Sequence, residues 1–166
     1  MNFYKEILTS TGPKPLFINK FIIKKNILGK NYSYLIQKNN RDKKKVFYVI
    51  RRSPGAGMFS NVTFIINHLK ICDQYNFIPI IDMQNFTTIY NEKEKVNDTY
   101  NAWEYYFKKL NKYSLKDVYK SQNVILSKNV FYNSFNHNIC NNKFRRIGKK
   151  YLNIKKGIKK KADIYF

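Results

Sequence analysis

Three apolar segments between residues 46 and 83 constrain the fold of this 166-residue chain more than any other feature. Residues 46–50 form a continuous run of β-branched and aromatic side chains, which is typical of a strand buried on both faces. From Phe59 to Cys72, apolar residues recur every three or four positions, which predicts one face of a helix of about five turns. Residues 77–81 predict a second strand. This order predicts a βαβ unit with parallel strands, and hence an α/β domain with a Rossmann-like parallel sheet flanked by helices.

A proline and glycine loop at residues 53–57 joins the first strand to the helix. Proline fixes its own φ and glycine permits backbone angles closed to other residues, so we expect a tight loop with Gly57 at positive φ. Open α/β sheets bind ligands at this end of a strand, where the following helix begins. The candidate ligand-binding residues are therefore Gly55, Gly57, Phe59, Ser60 and Asn61.

The glycine pattern excludes two known phosphate-binding loops. No Gly-Lys-Ser/Thr follows it, as a P-loop requires, and Ser60 occupies the third glycine position of the dinucleotide fingerprint. A loop that only turns the chain is an equal alternative. If the loop binds a ligand, we expect the Asn61 side chain near the surface of the cleft.

Three further residues are candidates on weaker patterns. Asp82 ends the second strand, where a nucleotide-binding unit has its ribose-binding acid, although a loop-fixing hydrogen bond explains it equally well. Trp103 could stack on a sugar ring, yet a tryptophan in an aromatic-rich helix is more often a core residue. Glu104 follows it directly. His68 and His137 have no acid or nucleophile at a telling spacing and receive no role.

The charge of the chain is strongly positive: Lys and Arg total 32 against 10 acidic residues, a formal net charge of +22. Such a charge favours nucleic acid, anionic lipid headgroups or phosphorylated substrates. No RNA- or DNA-binding signature accompanies it. A nucleic-acid-binding protein is the main alternative function, and a domain that binds an anionic membrane surface is a further one.

Cysteine usage and hydropathy indicate the compartment. The two cysteines form no CxxC pair or disulfide framework, and no apolar run approaches the roughly 18 residues of a membrane span. We expect a cytoplasmic protein with neither a signal peptide nor a metal site.

The rest of the chain divides into three parts. Residues 1–45 form a basic lead-in with a hairpin as one interpretation, and residues 46–142 form the Rossmann-like domain. Within that domain, residues 84–100 read as a loop over the carboxyl edge of the sheet, residues 101–110 as a helix and residues 123–126 as a weak strand. Residues 143–166 read as a solvated basic tail or the start of an interdomain linker.

Residues 48–61, 77–83 and 101–107 together resemble the amino-terminal half of bacterial fucosyltransferase-like glycosyltransferases. This superfamily includes the protein O-fucosyltransferases and the nodulation α-1,6-fucosyltransferases. The resemblance implies a GT-B architecture without metal or cofactor, GDP-fucose as the sugar nucleotide, and a glycan or lipid-linked glycan acceptor in surface-polysaccharide biosynthesis. It places Gly57, Phe59 and Asn61 on the family's Gly-x-Phe-x-Asn loop.

The resemblance has two departures. Met58 and Val62 stand where the protein O-fucosyltransferases have Arg and usually Gln. The 166 residues also lack the family's His-x-Arg-x-x-Asp-like motif, whose Arg stabilises the leaving diphosphate. The alternatives are a truncated half, a split enzyme with a separate donor-binding half, and a stand-alone domain with another use. We expect a truncated or split half that is inactive alone, with Asp82 or Glu104 as the candidate base. Its acceptors would place it at the inner face of the cytoplasmic membrane.

Overall fold

The structure is a computed structural model that describes residues 33–37, 45–51, 57–85, 87–121, 123–127 and 142–159. The elements in these residues are β1 (Ser33–Gln37), β2 (Phe47–Ile50), α1 (Met58–Tyr75), β3 (Ile78–Ile81), α2 (Trp103–Tyr106), α3 (Leu115–Lys120), β4 (Asn123–Ser127) and α4 (Asn142–Tyr151). Of the predicted lead-in, the structure describes only β1 and residue 45, so the hairpin interpretation lies outside the described residues.

The strands form one sheet in the order β1, β4, β2, β3. β2 is parallel to both β3 and β4, with Tyr48 opposite Pro79 on one side and Ile125 on the other. The predicted βαβ unit and the α/β class are therefore confirmed. β1 runs antiparallel to β4, so the sheet is mixed rather than wholly parallel as predicted.

Both faces of the sheet are covered, which explains why its strands read as continuous apolar runs. Side chains alternate along β2: Tyr48 and Ile50 pack towards α1, whereas Phe47 and Val49 pack towards α3. The first face continues through Ile65, Ile66, Leu69, Ile81, Trp103, Ile125 and Ile147, and the second through Ile80, Val118, Val124 and Leu126. The core thus lies in two layers on either side of the central strand.

β3 lies at the edge of the sheet that the described residues form, and side-chain amides donate to its two outward carbonyls. Pro79, which has no N–H to donate, fits such an edge position. The Asn111 side chain donates to the Pro79 carbonyl at 2.7 Å. The Asn101 amide donates to the Ile81 carbonyl at 2.7 Å and accepts from the Met83 N–H at 3.2 Å. These two asparagines thus supply hydrogen bonds that a neighbouring strand would otherwise make to β3.

The helix predicted over residues 101–110 is much shorter. α2 ends at Tyr106, because Phe107 turns to an extended conformation with φ −113° and ψ 153°. Phe107 then forms an antiparallel bridge with Ile154, and the Lys108 N–H donates to the Asn153 carbonyl at 2.7 Å. A long-range backbone contact therefore overrides the local helical pattern.

The prediction of a solvated basic tail from residue 143 does not hold for residues 142–154. α4 packs on α1 and buries Ile147 completely, with Phe144, Tyr151 and Leu152 against the same core. Its apolar residues recur at helical spacing within a basic sequence, so composition hides an amphipathic helix. Within the described residues, no helix is long and apolar enough to cross a membrane.

Candidate functional site

The glycine loop differs from its predicted conformation. Gly55 lies outside the described residues. Gly57 is the N-cap of α1 with φ −60° and ψ 157°, an angle that any residue adopts, so the expected positive φ is wrong. A Cβ at Gly57 would meet none of the described residues within 4 Å. The position is open to an approaching group but imposes no backbone need for glycine.

The first turn of α1 places the loop side chains differently from the prediction. Phe59, predicted on the buried face, is 87% exposed, and Asn61, predicted near the cleft surface, is 1% exposed. Two positions along a helix correspond to about 200° of rotation, so these two residues must lie on opposite faces. Asn61 shares the inner face with Ile65 and Leu69. Ser60 is exposed beside Phe59.

Asp82 anchors the loop that follows β3. Its Oδ1 accepts hydrogen bonds from the backbone N–H groups of Asn85 at 2.8 Å and Gln84 at 3.2 Å. The Asn85 side chain also donates to Asp82 and reaches the Tyr119 hydroxyl at 2.9 Å. Burial raises the pKa of Asp82, while these hydrogen bonds and the nearby Arg51 act in the opposite direction. Asp82 is fully buried, which favours the loop-fixing alternative over a role as base.

A cleft of about 600 Å³ lies along the outer edge of β3. Residues from both faces of the sheet line it, because α2 packs on one face, α3 packs on the other, and residues 107–114 connect them around the sheet edge. The wall includes Pro79, Asn85, Asp98, Asn101, Trp103, Glu104, Lys109, Asn111, Ser114, Lys116 and Tyr119. Two predicted residues, Trp103 and Glu104, therefore meet here. Asp82 and residues 57–61 do not line this cleft.

Trp103 and Glu104 contribute differently to the cleft. Trp103 is 2% exposed and stacks on Phe107, with ring centroids 4.2 Å apart and an interplanar angle of 21°. Its Nε1–H has no acceptor in the part of the chain that the structure describes. Glu104 is half-buried in the first turn of α2. Trp103 thus belongs largely to the core, and Glu104 supplies a carboxylate to the wall.

Sequence reasoning missed the amide groups of the cleft. Asn85 and Asn111 contribute side-chain amides to its wall. In the sequence, the only signals for them are the position of Asn85 after β3 and the position of Asn111 between α2 and α3. Sequence reasoning also missed Arg51, whose side chain is buried. The backbone N–H of Arg51 donates to the Ser127 hydroxyl at 2.7 Å, and that hydroxyl donates to the backbone carbonyl of Arg51 at 3.1 Å. This contact joins the carboxyl ends of β2 and β4.

A buried polar cluster links β2 to α1 away from the cleft. The Tyr48 hydroxyl lies 2.8 Å from His68 Nδ1, and Cys72 follows one helical turn later on the same inner face. Burial raises the pKa of both Tyr48 and Cys72. His68, which received no role from the sequence, is thus a hydrogen-bonded core residue. The described residues contain no group of three or more His, Cys, Asp or Glu that could hold a metal ion.

No protein-family model, curated protein or solved structure matches this chain.

Proposed function

We propose that this chain is the acceptor-side half of a GT-B glycosyltransferase, in which fucose passes from GDP-fucose to a hydroxyl of a surface polysaccharide. The observation that carries the proposal is the cleft beside β3, which brings Trp103 and Glu104 together with the amides of Asn85 and Asn111. The Asn85 amide donates to Asp82 and Tyr119, and the Asn111 amide donates to Pro79. The remaining groups are the amide oxygens, one N–H of Asn111 and the Glu104 carboxylate, which suit a polyhydroxylated ligand because they can accept from and donate to its hydroxyls.

The cleft supplies one half of the chemistry of sugar transfer. Glu104 is the carboxylate in position to accept the proton of an attacking acceptor hydroxyl. The other half, stabilisation of the departing diphosphate, needs cationic or N–H groups aimed at it. Because these residues contain no His-x-Arg-x-x-Asp motif, we assign that role to a donor-binding half outside these 166 residues. The site would act in the cytoplasm, at the inner face of the membrane that holds lipid-linked acceptors.

The proposal is tested by acceptor binding, for which the single tryptophan is a built-in probe. Neutral oligosaccharides of N-acetylglucosamine and of galactose are titrated while Trp103 fluorescence is recorded, and calorimetry checks the same ligands. We expect saturable binding of at least one class. Glu104→Gln should weaken it by about 10-fold, since one charge-assisted hydrogen bond contributes roughly 1.5 kcal/mol or more.

Glu94→Gln is the matched control, because Glu94 is exposed and does not line the cleft. It should bind as the unmodified chain does. Absence of any saturable oligosaccharide binding would overturn the proposal, and so would equal effects of the two substitutions. Transfer of fucose from GDP-fucose by the chain alone would contradict the assignment of the diphosphate chemistry to another half.

A further inference from the structure

Three segments outside the cleft carry exposed basic residues. These residues are Lys108, Arg145, Lys149, Lys156 and Lys159, which we call the basic face. No acidic residue occurs between positions 142 and 159 of the sequence. These positive charges lie on folded residues rather than on a solvated tail. They therefore favour an anionic binding partner.

The packing of α4 fixes the direction of its charges. Ile147 is buried against α1, and Arg145 and Lys149, two positions to either side, lie about 200° away from it around the helix. Arg146 and Lys150 occupy the flank instead and pair with Asp73 of α1. Among the described residues, no carboxylate pairs with Arg145 or Lys149. Asp73 therefore neutralises the flank and leaves the outward side of α4 positive.

The bridge between Phe107 and Ile154 adds the other two segments. The Lys108 N–H donates to the Asn153 carbonyl at 2.7 Å, and the Lys155 N–H donates to the Tyr106 carbonyl at 3.0 Å. Lys108 is thereby held beside residues 153–155, which connect α4 to Lys156 and Lys159. Ile154 lies in this connection and is 51% exposed.

We propose that the basic face binds the surface of an anionic phospholipid bilayer. Its ammonium and guanidinium groups would lie against lipid phosphates, and Ile154 would enter the boundary between headgroups and acyl chains. Charge complementarity alone would equally suit nucleic acid, but an exposed isoleucine among lysines gains free energy only where it leaves water. This inference is independent of sugar transfer, because its measurement is vesicle binding.

Co-sedimentation with vesicles tests the proposal. The full chain is mixed with phosphatidylcholine vesicles, with or without phosphatidylglycerol, at physiological salt. We expect binding only to the anionic vesicles. Arg145→Gln with Lys149→Gln should lower the partition coefficient by about 30-fold, because each basic residue near an anionic leaflet contributes roughly a five-fold factor. Lys156→Gln with Lys159→Gln is a second, independent pair with the same expectation.

Lys93→Gln with Lys95→Gln is the matched control, since it removes the same charge from exposed positions outside the basic face. It should reduce vesicle binding by no more than a few-fold. Equal losses in the control and test pairs would overturn the proposal, because binding would then follow net charge alone.

Ile154→Ser separates a bilayer from nucleic acid. It should weaken vesicle binding several-fold and leave the binding of a random single-stranded oligonucleotide unchanged. Tight oligonucleotide binding that the Arg145 and Lys149 substitutions abolish, with no binding to anionic vesicles, would contradict the bilayer and identify nucleic acid instead.

Discussion

At the residue scale, Asp82 combines full burial with a hydrogen-bonding task. Its carboxylate holds the turn at Gln84 and Asn85, and Asn85 in turn contacts Tyr119 of α3. One side chain therefore fixes the loop that borders the cleft. The cost is a buried charge, which is why its pKa lies above the ordinary value for Asp.

Asp82→Asn should reveal this cost in the pH dependence of the free energy of unfolding. A raised pKa means that the folded state holds the proton more readily than the unfolded state. The Asp82 contribution is therefore fully present below the ordinary Asp pKa of about 3.9 and is lost as pH rises through the folded pKa. We expect the unmodified chain to gain stability relative to D82N as pH falls through that window, measured by urea unfolding.

Asp117→Asn is the control with the opposite sign. Hydrogen bonds from Ser114 lower the pKa of Asp117, so its contribution is present above the ordinary value and is lost as pH falls through the folded pKa. The unmodified chain should lose stability relative to D117N on acidification. If D82N behaved in the same direction as D117N, hydrogen bonding rather than burial would govern Asp82.

The glycine loop shows where sequence reasoning ends at this scale. The pattern places the start of a helix near Gly57 correctly, because glycine and proline interrupt regular structure wherever they stand. The pattern cannot predict the φ of Gly57, nor which side chains of the first helical turn face the core. We call this rotational position of the turn its phase. That phase is set by the burial of Ile65 and Leu69, and it alone decides that Phe59 faces water and Asn61 the core.

At the scale of elements, α4 is the largest difference from expectation. Residues 142–151 have few apolar side chains, and their basic composition favours a solvated tail. The structure uses those few at helical spacing to cover α1, and the bridge at Ile154 ties the segment to α2. The basic residues are the outer side of an amphipathic helix.

Ile147→Ala tests whether α4 is part of the core. Ile147 has no exposed surface, so truncation should lower the free energy of unfolding by about 2–5 kcal/mol through lost burial and a new cavity. Ile154→Ala is the matched control, because this isoleucine is 51% exposed, and it should change the value by about 0.5 kcal/mol or less. Urea unfolding followed by circular dichroism measures both. A small effect of I147A on the free energy of unfolding would instead support the interpretation of this segment as a solvated tail.

The elements from residue 46 to 83 could be predicted because local and long-range preferences agree there. Apolar runs bounded by Pro54 and Asn76 specify strands and helix without help from the rest of the chain. Pro79 even carries a signal for an edge strand that periodicity ignores. The end of the helix that begins at Trp103 could not be predicted, because Phe107 forms a β-bridge with a residue almost 50 positions later in the sequence. Such pairings have no local signature.

At the scale of the whole molecule, positive charge opposes the fold that burial stabilises. A formal charge of +22 on a chain of this length creates self-repulsion, and few carboxylates are available to offset it. The described residues place Asp73 of α1 beside Arg146 and Lys150, where it offsets the repulsion between these two cations of α4. The cleft, by contrast, contains both signs of charge. Net charge therefore acts on stability and association rather than on the cleft itself.

Salt should consequently stabilise the folded chain. Raising sodium chloride from about 0.01 M to 0.3 M shortens the screening length from about 30 Å to below 10 Å, which removes most repulsion between distant surface charges. We expect the midpoint of thermal unfolding to rise by several degrees, since about 1 kcal/mol corresponds to roughly 2–4 °C at this size. Lys93→Gln with Lys95→Gln should raise the midpoint at low salt and reduce its salt dependence. A midpoint that falls with salt would mean that close pairs such as Asp73 with Lys150 outweigh the long-range repulsion, and that the excess charge is already held apart by the fold.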